Sequence, residues 1–149
     1  MTRARLVSAV TLPAEYRSLT FARTVVERAL VSLGWDDDAS ARIVLASAEA
    51  VCNAIEHGSE SGADVELELW AEDATAWVQV TDHGRGDSTV PMVLPSSPPD
   101  AQASRGRGLV IMSRLSEDLD IHDNAEGGTT VLLRFSADGN ADAPAAEVA

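Results

Sequence analysis

Lysine is absent from this chain, and all 11 of its basic residues are arginine. That excludes a phosphate loop built on a lysine ammonium, and it excludes any side-chain Schiff base. Phosphate bound here is therefore held by backbone amides, by arginine or by a metal. Cysteine is almost absent as well. Cys52 stands alone and cannot close an internal disulfide, in keeping with a reducing compartment. Aromatic residues make up only 4% of the chain, so the core must be aliphatic. No apolar run approaches the roughly 20 residues of a membrane helix, and the N-terminal residues lack the apolar stretch of a signal peptide. The expected location is the cytoplasm, away from membranes.

What is abundant is acidic charge. The 24 Asp and Glu residues bring the formal charge to −13, so a nucleic-acid backbone would be repelled by most of the surface. A basic or mixed-charge protein is the easier partner. With 149 residues and 45% hydrophobic content, the chain has material for one globular domain with its own core.

Along the chain, residues 6–12 read as a first strand and Pro13 as the opening of a helix over residues 14–33, where Tyr16, Leu19, Val26, Leu30 and Leu33 recur at helical spacing. Gly34 ends that helix. Asp36, Asp37 and Asp38 supply the cap and acidic first turn of a second helix, about residues 39–56, which is apolar on most sides and so central. Val65, Leu67 and Leu69 alternate with Glu66 and Glu68, and residues 77–81 form the returning strand of a hairpin. Pro91, Pro95, Pro98 and Pro99 preclude a long helix or central strand over residues 88–105, which are expected to form a lid. A third helix is predicted over residues 108–115, then strands over 119–122 and 129–135. Residues 137–149 are expected to be a disordered tail. The domain thus spans residues 1–136 and is expected to be a two-layer α/β sandwich, with a mixed, mostly antiparallel sheet covered on one face by helices.

Four short segments carry chemistry: EAVCNAIEHG (residues 49–58), DHGRG (82–86), GRGLVIM (106–112) and GGTTV (127–131). Glu49 and Asn53 are four apart and project from one helix face. An amide oxygen suits Mg²⁺, and a carboxylate nearby suits proton acceptance from an attacking hydroxyl. Asp82 closes a strand, where its carboxylate is placed to accept a hydrogen bond from an adenine amine, and Gly84 and Gly86 let the backbone approach a flat ligand. Gly106, Gly108 and Leu109 lie at a predicted helix start, whose free amides attract phosphate; Arg105 and Arg107 add charge. Thr129 opens the last strand. Taken singly, these segments also fit a solvated helix stripe, an ordinary β-turn, water-facing arginines and a hairpin end.

In this order, the four segments resemble the nucleotide site of the GHKL ATPases, and most closely the anti-sigma-factor serine kinases of the RsbW and SpoIIAB kind. The resemblance implies a Bergerat-type ATP-binding fold with Glu49 as general base. It implies Asn53 as Mg²⁺ ligand, and ATP held by Asn53, Asp82, Gly84, Gly86, Arg105, Gly106, Gly108, Leu109 and Thr129. It further implies serine/threonine kinase activity toward a STAS-type anti-sigma-factor antagonist, sequestration of a sigma factor, and a homodimer formed through the first strand and helix. A switch kinase acting on a STAS scaffold, and a non-catalytic nucleotide-sensing module, are the alternatives; a fragment of a sensor histidine kinase fits less well, for want of a dimerisation helix pair.

Other reactive residues read as bland. Cys52 is expected to be a buried structural thiol, and His57, His83 and His122 lack metal-ligand spacing. Trp70 and Trp77, on neighbouring strands, are expected to pack rather than to stack on bases.

Overall fold

The computed structural model describes residues 3–58, 63–83, 104–124 and 127–137. The proposed lid, except for residues 104 and 105, and the tail beyond Ala137 lie outside them. The elements are β1 (Arg5–Pro13), α1 (Ser18–Ser32), α2 (Asp37–Asn53), a π turn (Ala54–Gly58), β2 (Asp64–Glu72), β3 (Thr75–Asp82), α3 (Ser104–Leu115), β4 (Asp118–Asp123) and β5 (Thr129–Ser136). The strands form one sheet in the order β1-β2-β3-β5-β4, and every pairing is antiparallel. The expectation left room for a mixed sheet; every neighbouring pair is instead antiparallel, with β2–β3 and β4–β5 joined as direct returns and the other neighbours joined through helices.

Period-two alternation decides which face the helices cover. Val65, Leu67, Leu69, Ala76, Val78, Val80, Val131, Leu133 and Phe135 are buried on one face, against α1, α2 and α3. Glu66, Glu68, Trp70, Trp77 and Gln79 take the other face, where Trp70 and Trp77 are directly opposed across β2 and β3. Asp82 closes β3 on the inward register, opposite Val65. An acidic side chain is thereby brought beneath the helices and is only 4% exposed.

Helix α1 begins at Ser18, four residues later than the periodicity suggests. Pro13 ends β1 instead of opening a helix, and the Ser18 hydroxyl donates to its carbonyl at 2.8 Å. Tyr16, counted as a core position, is 59% exposed and donates its hydroxyl to Glu56 Oε2 at 2.9 Å. The helix ends in a Schellman turn. Gly34 takes φ +80°, its N–H donates to Val31 O, and the Trp35 N–H donates to Leu30 O.

Helix α2 is capped by Asp36, whose Oδ1 accepts the Ala39 N–H at 2.8 Å. Its small residues Ala46, Ala48 and Ala50, with Ile43 and Val51, are buried between α1, α3 and the sheet, so it is central as its composition predicts. The α-helical pattern stops at Asn53 and widens to the π turn, a local feature that often accompanies functional sites. Among the described residues, no helix is long and apolar enough to cross a membrane.

Candidate nucleotide site

The described motif residues meet in two groups. In the first, Glu49 and Asn53 lie one turn apart and half-buried at the C-terminal end of α2. Helix α3 crosses them at Gly108. A β-carbon at that glycine would stand 3.0 Å from Glu49 Oε1 and 3.3 Å from Asn53 Oδ1. Only a residue without a side chain lets α3 approach the carboxylate and the amide this closely. Leu109, 2% exposed, anchors α3 in the core beside them.

Helix α3 starts at Ser104, so Gly106 and Gly108 lie within it, whereas the sequence predicted its start at residue 108. The physical reason is the packing of Gly108 on α2, which compensates the low helix propensity of glycine. The amides without intrahelical partners thus belong to residues 104–107. Residues 104 and 105, assigned to the lid from sequence, form the first turn of this helix. Gly106 is helical with them, and Arg107 is exposed. Gly84 and Gly86 lie outside the described residues.

The second group joins the end of β3 to the β4–β5 connection. Asp82 Oδ1 accepts the Thr129 N–H at 3.1 Å, and Thr129 is 5% exposed. Gly128 is pressed on Asp82 more tightly still. A β-carbon there would overlap the Asp82 carbonyl oxygen and stand 2.7 Å from Asp82 Oδ1. The Asn124 side chain completes the junction by bonding both Asp82 and Gly128. From sequence Asn124 is read only as the start of a turn over residues 124–128, because an asparagine shortly before Gly-Gly is an ordinary turn former.

The electrostatics suit a base. The Glu49 carboxyl is raised above the ordinary carboxylate range, first by burial and then by the charge of Glu56, with Arg23 on α1 opposing. Among the described residues, none makes a hydrogen bond or ion pair that would hold the Glu49 carboxylate ionised. Because folding raises this pKa, the contribution of Glu49 to stability is full below the unfolded value and is lost as pH rises through the folded value. Glu49→Gln is therefore expected to melt above the wild type at neutral pH, with the difference vanishing once both states are protonated in acid. Melting curves from pH 4 to pH 8 check this; a gap of constant size would assign the effect to something other than ionisation.

Cys52 is half-buried rather than buried, and its thiol is pushed up to about 11 by burial, by the charge of Glu56 and its hydrogen bond, and by Glu49. At neutral pH it stays protonated, which does not suit a nucleophile. His83 pairs with Glu66 of β2 immediately after Asp82. A groove of about 540 Å³ opens between α1 and α2, lined by Arg23, Glu27, Val31, Asp37, Ser40, Val44 and others, and none of the described motif residues lines it.

Residues 12–135 fit the histidine kinase-like ATPase domain, and the chain belongs to that family, within its GHKL-like, RsbW-related branch. Its similarities point to a particular group. The chain is 30% identical over 119 residues to the anti-sigma F factor of Bacillus subtilis (strain 168), a match covering 76% of this chain and 81% of that protein. It is equally 30% identical to the anti-sigma F factor of Clostridium botulinum (strain Eklund 17B / Type B), covering 76% and 82%. Among solved structures it resembles the RsbU and RsbW domains of a Mycobacterium tuberculosis protein, with a TM-score of 0.63 and 25% identity over 91% of this chain. The chain spans 32% of that larger protein chain.

Proposed function

We propose that this chain is a Mg²⁺-ATP-dependent serine/threonine protein kinase that also acts as an anti-sigma factor. It would phosphorylate a small STAS-type antagonist and sequester a sigma factor, as a cytoplasmic homodimer. The observation that carries this reading is the convergence of Glu49, Asn53 and Gly108, with a β-carbon at Gly108 within 3.3 Å of both side chains. The names of the relatives support the anti-sigma half. Apolar side chains left exposed on α1 and α2, among them Phe21, Val31 and Leu45, support a protein partner.

The residues present fit the nucleotide and its metal. Asn53 offers a hard oxygen beside a carboxylate, and the first turn of α3 offers backbone amides in place of the missing lysine. Bound ATP supplies the phosphoryl group, with Mg²⁺ neutralising its charge. Asn53 would hold the metal, and Asp82, with Thr129 beside it, would receive the adenine amine. Glu49 takes the proton that the acceptor hydroxyl loses, and its raised pKa suits that task.

Calorimetric titration with ATP and with ADP in Mg²⁺ tests the site. The wild type is expected to bind, and Asp82→Ala to lose about 10- to 100-fold in affinity, the value of one hydrogen bond to a buried charged group. A folded wild type that binds neither nucleotide would overturn the kinase reading.

A further inference from the structure

Asp82 is held at both ends by the β4–β5 connection, and one side chain holds its main chain. Asn124 Nδ2 donates to the Asp82 carbonyl oxygen at 3.1 Å, while Asn124 Oδ1 accepts the Gly128 N–H at 3.0 Å. A carbonyl only accepts and a backbone N–H only donates, so a single orientation of the amide satisfies both bonds. The main chain of Asn124 closes the same turn, with its N–H donating to Gly128 O at 2.9 Å and its carbonyl accepting from Gly127 N. Next to it, the Thr129 N–H holds the carboxylate of Asp82.

From this geometry we infer that Asn124 is a positioning residue for base recognition. It sets the height and direction of Asp82 and so determines the preference of the site for adenine over guanine. The inference rests on the reading of Asp82 as the adenine contact. Neither bond is supplied by the strand ladder. Asp82 pairs with Val65 of β2, while the last pair between β3 and β5 is Thr81 with Thr130. The Asp82 main chain therefore meets the β4–β5 turn through Asn124, across 42 residues of sequence. Asn124 Nδ2 also stands 3.5 Å from Thr130 Oγ1, which steadies the amide on the β5 side.

Alanine removes both bonds. Aspartate keeps the acceptor for Gly128 but removes the donor to Asp82, setting a carboxylate oxygen against a carbonyl oxygen. Full-length wild type, Asn124→Ala, Asn124→Asp and Asp82→Ala are titrated with Mg²⁺-ATP and Mg²⁺-GTP, and melting temperatures are measured alongside. Both Asn124 variants are expected to bind ATP about tenfold more weakly, as the loss of one buried hydrogen bond implies, with GTP affinity little changed. The ATP-to-GTP ratio then falls by the same factor. Asn124→Asp, which keeps the turn bond, should melt closer to the wild type than Asn124→Ala.

A purely structural role would weaken both nucleotides alike and leave the ratio intact, which overturns the inference, as does unchanged ATP affinity in both variants. Wild-type binding that Asp82→Ala abolishes, beside an unaltered ratio in the Asn124 variants, leaves the nucleotide site standing and removes only the role of Asn124. If Asp82→Ala binds ATP as the wild type does, the adenine assignment falls, and the role of Asn124 falls with it.

Discussion

Glu49→Gln is expected to lower phosphoryl transfer to a STAS-type acceptor by about 10²- to 10⁴-fold, the usual contribution of a positioned general base. ATP affinity should be unchanged, because glutamine keeps the size of the side chain beneath Gly108 and no described residue bonds the carboxylate. The defect should therefore appear in kcat and not in the KM for ATP. The pH profile carries a second signature. Burial and the neighbouring Glu56 raise the Glu49 carboxyl, so the acidic limb of the wild-type rate should lie above the ordinary carboxylate range. Glu56→Gln should move that limb down, since it removes the charge that helps to raise Glu49. Single-turnover transfer of labelled phosphate measures both. Transfer by Glu49→Gln at the wild-type rate would remove Glu49 from the role of base.

Gly128→Ala is expected to have the largest effect on stability. An added β-carbon would overlap the carbonyl oxygen of Asp82 and crowd its carbonyl carbon at 2.6 Å, both of them backbone atoms without a rotamer to escape into. Overpacking of this kind costs about 1–3 kcal/mol, and contact with backbone argues for the top of that range. At about 3 kcal/mol, the melting temperature of a domain this size falls by roughly 6–12 °C. Nucleotide affinity should fall with it, because the end of β3 must shift to admit the methyl group, and Asp82 shifts with it. Thermal melting and ATP titration of the same preparation test this. Wild-type values in both would mean that the junction between β3 and β5 is far looser than its contacts indicate.

The elements legible in the sequence were those whose burial follows a simple period. Strands β2 and β3 alternate cleanly because one face meets the helices, and α2 declares itself through Asp36 and its run of small apolar residues. Errors fell where local pattern and tertiary packing disagree. Tyr16 has the spacing of a core residue, yet its hydroxyl reaches Glu56 and the chain ahead of Ser18 is not helical. Two glycines argued that α3 begins at residue 108, but the close approach of Gly108 to α2 lets the helix run through both. No residue pattern marks the π turn after Asn53. The same holds for Asn124, whose partner lies 42 residues earlier.

By itself the sequence determined the family. Its lack of lysine, the spacing of Glu49 and Asn53, and the order of four short motifs are properties of the linear chain, and they restrict how phosphate and metal can be held. Only the tertiary structure decided which motif residues meet. That Gly108 rests on Glu49 and Asn53 depends on how α3 crosses α2, and that Asp82 sits under Gly128, Thr129 and Asn124 depends on the antiparallel register of β3, β5 and β4. Local preference fixes the elements within a few residues of one another. Contacts between elements far apart in sequence are chosen by the packing of the whole core.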